Sequence, residues 1–267
     1  MPTWEQLEPR YEELAERDLT TENVGGWLYD WSELSKEIEE AFAGTFRAKN
    51  ENTADEAAEG AFLQFIQEVL PRAEVADQKL KLKLLALDGF VPEPGQTEFV
   101  RRFRNEAELF REANVPLFAD EETLSSEFGK LTGALTVQLD GETLTIPEAE
   151  KRLREPDREL RERAWRAIKE AELSVSGELD ALFLKLLKLR RQIAKNTGLN
   201  YRDFRWRALN RFDYAPEDSR RFHDVIAAEV TPLKTKLLEE RAANLGLATL
   251  RPWDLQVDPH ARHAQTF

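Results

Sequence analysis

Between Tyr201 and Tyr214 the chain interleaves arginines with rings: Arg202, Arg205, Arg207 and Arg211 alternate with Phe204, Trp206 and Phe212. A guanidinium can fork onto a carboxylate or stack on a planar group, so such a run can grip a ligand. Tyr201, Arg205, Arg207, Arg211 and Tyr214 are the candidate contacts. A structural reading stands beside this one. Aromatic groups at helical spacing commonly form a core, and the arginines have Asp203 and Asp213 nearby as counter-charges.

Hydrolytic chemistry is harder to find. A zinc peptidase needs two histidines one helical turn apart, a third ligand and a carboxylate that takes a proton from water. The chain has 3 histidines, His223, His260 and His263. His223 has no histidine four residues away, and His260 and His263 flank no glutamate. There is no GxSxG, no P-loop and no GxGxxG, and with 33% charged residues, pairs of carboxylates arise by chance. The sequence therefore assigns neither a catalytic residue nor a metal ligand.

The elements that must position the arginine-rich run are helices. Trp4, Leu7, Tyr11 and Leu14 recur three and four apart, as do Trp27, Leu28, Trp31, Leu34 and Ile38 in a helix expected from Val24 to about Phe46. Thr53 and Glu56 have the spacing of a capping box for a long helix over 54–87, in which Pro71 predicts a kink or break near Leu70. Residues 89–96, GFVPEPGQ, read as a linker. A helix over 97–113 ends at Asn114-Val115-Pro116, and a shorter one follows over about 119–131.

The period then changes from about 3.6 to 2. Residues 134–146 alternate apolar and polar side chains around Asp140-Gly141, which predicts a β-hairpin. Helices follow over 147–155 and 157–173. Ser174 to Lys195 carries so wide an apolar surface that it is expected to be covered on more than one side, at the centre of a second bundle. Gly198 should end that helix in a left-handed conformation, Asn200 should cap the next, and Pro216-Glu217-Asp218 should open another over 217–245, interrupted by Pro232. The fold expected is mainly α: two stacked helical bundles, residues 1–90 and 91–257, with one small hairpin near 134–146 and a disordered tail over 258–267.

Bulk properties narrow the function classes. A formal charge of −13 argues against a general nucleic-acid binder, which needs a basic surface to neutralise phosphates. The charge is uneven: residues 1–60 hold 16 acidic against 5 basic side chains, while 150–211 hold 17 basic against 10 acidic. The absence of cysteine excludes disulfides and thiolate metal sites. No stretch is long and apolar enough to span a bilayer, and the opening residues lack the basic and apolar regions of a signal peptide. A cytoplasmic location is expected, without membrane or nucleic-acid partners.

Three clusters in order carry a resemblance. They are Asn200-Tyr201-Arg202-Asp203-Phe204, then Arg211-Phe212-Asp213-Tyr214-Ala215-Pro216-Glu217-Asp218 with Phe222-His223-Asp224, then Leu250-Arg251-Pro252-Trp253-Asp254-Leu255 with Val257-Asp258-Pro259. They resemble oligoendopeptidase F and its relatives, zinc-dependent peptidases that cut short peptides in an enclosed, mostly helical cleft. The resemblance runs from about Leu7 to Pro259 and implies the N-terminal, cleft-forming portion of such an enzyme. The family's zinc sits on an HExxH helix, and the chain has no such motif. The resemblance therefore implies a truncated, frame-shifted or excised piece that binds no zinc, is inactive alone, and has short peptides and a missing C-terminal catalytic half as partners. Apolar surface left bare by that absence would favour self-association. The competing expectation is a non-catalytic helical scaffold or peptide-binding module derived from the same fold.

Overall fold

The computed structural model describes residues 1–260. The chain forms two compact units, one of Met1–Lys130 with Ala181–Phe212 and one of Leu131–Asp180 with the chain from Asp213 onward. The stretch 89–96 lies inside the first of these.

Helices follow from the apolar spacing. The first unit opens with α1 (Trp4–Glu16) and α2 (Val24–Glu51), then α3 (Glu56–Gln64), a π-helical turn (Phe65–Val69) and α4 (Leu70–Leu85). Then come α5 (Thr97–Leu109) and α6 (Val115–Gly133). Leu7, Trp27, Leu34, Phe62, Phe65 and Leu80 are fully enclosed and form the centre of the core. Polar ties fix the helices around it. The Trp27 indole donates to the Leu14 carbonyl at 2.9 Å. The Lys83 ammonium donates to the carbonyls of Leu14, Ala15 and Arg17 at the end of α1, where its charge also complements the helix dipole.

Three sequence expectations change here. Asp55, rather than Thr53, caps α3, its carboxylate accepting from the Ala57 and Ala58 amides at 3.0 Å. Pro116 opens α6 from its second position instead of ending α5, because the first turn of a helix needs no proline N–H. The break anticipated at Pro71 is a widening: a π turn ends two residues before it. Proline cannot donate to residue i−4 and its ring crowds that carbonyl, so the extra residue in the turn accommodates both.

In the second unit, β1 (Thr136–Leu139) pairs antiparallel with β2 (Glu142–Thr145), Thr136 opposite Thr145 and Leu139 opposite Glu142. Asp140 and Gly141 turn the chain at φ 51° and 89°, the left-handed values a two-residue hairpin demands. Alternation buries Val137 and Leu139 against Ala149 of α7 (Ile146–Lys151) and Ala164 and Ile168 of α8 (Arg158–Ser174).

The long helix α9 (Ser176–Asn196) follows. Only Leu182, Ile193 and Ala194 of it are buried, while Phe183 and Leu184 are 60% and 63% exposed. The expected burial on several sides is therefore corrected: a wide apolar stripe fixes what a helix can bury, and among the described residues nothing covers most of it. Gly198 ends the helix at φ 81° as expected, and α10 (Tyr201–Ala208) begins at the Asn200 cap. In the second unit, α11 (Pro216–Val225), a second π turn (Ile226–Val230) and α12 (Thr231–Asn244) complete the helices. Pro232 stands in the same relation to its π turn as Pro71 does. Of the tail expected to be disordered over 258–267, residues 261–267 lie outside the described residues; Pro259 and His260 form a turn. No described helix is long and apolar enough to cross a membrane.

Candidate functional site

The arginine-rich run is built on α10, which Asn200 starts by accepting from the Asp203 amide at 3.0 Å. Phe204 is buried with Ile193, Ala194 and Leu109, and half-buried Tyr201 packs against the same cluster. This pins one face of the helix. Arg207 is spent structurally: its Nε donates to Asn105 Oδ1 at 3.1 Å, its Nη2 to Glu108 Oε2 at 2.6 Å, and its carbonyl accepts from Asn105 Nδ2 at 2.9 Å. Arg211 lies 4.8 Å over the Trp206 ring, a cation–π contact within the same run. Arg205 is exposed and makes no side-chain hydrogen bond or ion pair among the described residues. Tyr214 is 47% exposed and belongs to the second unit, whereas the other four candidates belong to the first. Tyr201 and Arg205 stand one turn apart on α10.

The last of the signature clusters has a clear structural role. Asp254 is fully buried and takes four hydrogen bonds: two from Arg158 at 3.0 and 2.9 Å, one from Arg161 at 3.1 Å and one from the Arg251 amide at 2.9 Å. Burial pushes its carboxyl up, but these donors outweigh burial and hold it below the usual carboxylate range. Arg161, itself buried, also donates to the carbonyls of Trp253, Glu155 and Pro156. Arg241 of α12 donates to the carbonyls of Asp254 and Val257. The segment thus clamps α8 and α12 from within the second unit.

Sequence reasoning also passed over Asp77. It sits four residues after Ala73 and three before Leu80, on the buried stripe of α4. Its Oδ1 accepts from Trp31 Nε1 at 2.8 Å and from the Tyr11 hydroxyl at 3.1 Å. A carboxylate at a core position of a helical period was the available signal.

Among the described residues the donor set does not suit a metal. His223 is exposed on α11, His260 is exposed in its turn, and among the described residues no group of three histidines or carboxylates could hold an ion.

Among the described residues the fold is mainly helical with one β-hairpin. The chain matches three solved structures closely in fold. One is PZ peptidase A with inhibitor 2, at TM-score 0.86 and 20% identity over 95% of this chain and 46% of that one. Another is described as an oligoendopeptidase F of Bacillus anthracis str. Ames, at TM-score 0.88 and 19% identity over 96% and 48%. The third is oligoendopeptidase-F from Enterococcus faecium, at TM-score 0.77 and 14% identity over 96% and 55%. The chain spans about half the length of each. Residues 152–265 match the model of Peptidase family M3. No curated protein matches. The stretch 152–265 is thus similar to Peptidase family M3, and the chain shares the fold of the oligoendopeptidase F structures.

Proposed function

We propose that this chain is the helical, cleft-forming N-terminal part of a zinc-dependent oligoendopeptidase that hydrolyses short peptides in the cytoplasm, acting with a metal-bearing half that it does not contain and inactive without it. One observation carries the reading. Along α11 and α12 no residue is buried, yet Phe222, Val225, Ile226, Val230, Leu233 and Leu237 recur three and four residues apart and are 38–65% exposed. An amphipathic helix whose apolar stripe faces water is built for a neighbour. Coverage of nearly all of this chain, but only about half of its structural neighbours, supports the same reading.

In this role α10 offers Tyr201 and Arg205 to a bound peptide, whose carboxylate an arginine fork can take. Zinc and its general base lie with the other half. Mixing the chain with a separately made C-terminal half and following cleavage of a quenched fluorescent peptide tests the reading. Cleavage above that of the C-terminal half alone is expected. No gain, together with a monodisperse chain that binds no hydrophobic dye, would favour a self-sufficient helical module instead.

A further inference from the structure

A cavity of about 610 Å³ opens between α2, α4 and α5 in the first unit, within the size range of small-molecule pockets, roughly 300–1,000 Å³. One wall is aromatic. Trp31 and Phe103 lie with ring centres 5.0 Å apart, and Phe99 packs edge-on against Phe103 at 5.4 Å. The charges lining it are unevenly satisfied. Glu106 is paired with Lys81 at 2.8 Å and with Arg102 at 3.9 Å. Asp77 has no cation within ion-pair distance among the described residues; its two hydrogen bonds come from neutral groups, and both fall on Oδ1. Among the described residues Oδ2 engages no protein donor, and Asp77 lines the cavity.

A largely buried carboxylate whose neighbouring cation, Lys81, is ion-paired to Glu106 instead is costly, and a further cation delivered beside it against aromatic faces recovers Coulomb and cation–π energy together. Burial pushes the Asp77 carboxyl up, chiefly against the hydrogen bond from Trp31, the charge of Lys81 and the hydrogen bond from Tyr11, as expected of a charge short of compensation. We propose that this cavity binds a primary ammonium carried on an aryl or alkyl body, the ammonium at Asp77 Oδ2 and the body against Trp31, Phe99 and Phe103. The inference is independent of the peptidase reading, because that reading uses none of Trp31, Asp77, Phe99 and Phe103.

The Trp31 indole N–H, hydrogen-bonded to Asp77, is the reporter. Phenethylammonium titrated into the ¹⁵N-labelled chain should shift that resonance saturably, whereas 3-phenylpropionate, of similar shape and opposite charge, should not. Asp77→Asn keeps an acceptor for Trp31 and Tyr11 and removes the charge, and should weaken binding at least tenfold. Should Asp77→Asn fail to fold, Ser32→Phe, at an exposed position lining the cavity, places a ring in its mouth and should block binding with the fold intact. The proposal is overturned by an unmoved Trp31 resonance at tens of millimolar amine, by equal binding of the carboxylate, or by unchanged affinity in either folded variant.

Discussion

Arg161 and Asp254 meet out of reach of water, Nη2 3.1 Å from Oδ1 with side chains 3% and 0% exposed. Removing one partner of such a pair strands the other charge, which typically costs about 3–5 kcal/mol. Asp254→Ala should therefore lower the urea-unfolding free energy by about 3 kcal/mol, near the low end because Arg161 keeps its three carbonyl acceptors. Arg158→Ala removes a donor that is 40% exposed and should cost a small fraction of that. Equal losses in the two variants would show that Asp254 is not the centre of the network.

Arg205 and Arg207, two residues apart on α10, should separate binding from stability. Arg207→Ala breaks contacts to Asn105 and Glu108 that join α10 to α5, and should destabilise by about 1 kcal/mol. Arg205→Ala should leave the unfolding midpoint unmoved and weaken binding of an acidic labelled peptide titrated at two salt concentrations, the difference shrinking at the higher salt. Peptide binding unaffected by Arg205→Ala would remove this helix from the substrate wall.

Glu74 gives a pH dependence with a definite sign. It lines an apolar cavity beside Phe42, Ile66 and Phe118, and burial raises its carboxyl from 4.5 to about 7, Lys81 opposing and Asp77 reinforcing the shift. Between those two values the folded chain holds a proton that the unfolded chain has lost. Its contribution to stability is thus complete below pH 4.5 and is lost as pH rises to about 7, by on the order of 3 kcal/mol. Glu74→Gln should abolish this loss, so the variant gains on the parent between pH 4.5 and 8 in urea melts. Parallel stability curves would show that Glu74 is ionised at little cost in the fold.

How much of this was legible before the structure depends on whether a residue's role is set by neighbours in sequence or in space. The hairpin at Asp140-Gly141, the left-handed stop at Gly198 and the Asn200 cap are local devices, and each is where its residues place it. Pro71 marked a disturbance, though its form, a π turn rather than a kink, depends on how the core holds Phe65 and Ile66. The partners of Arg207 lie 99 and 102 residues away, and those of Asp254 on α8 lie 93 and 96 away. No periodicity reaches so far. Periodicity also finds the apolar stripe of α9 without saying what covers it, which is why that helix was expected in a core.

The exposed stripe of α11 and α12 leads to the last test. Leu233 and Leu237 are 57% and 65% exposed, so neither contributes much to the folded chain by itself. Replacing both with Glu should shift stability by no more than about 0.5 kcal/mol each. The same change puts two charges in the middle of an apolar surface, where any helper half or second copy would have to desolvate them. Dye binding and self-association by light scattering should fall, and any gain in peptide cleavage from adding the C-terminal half should disappear. A double variant that unfolds would mean these leucines are core, and one that keeps its full gain in cleavage would mean the stripe does not receive the other half.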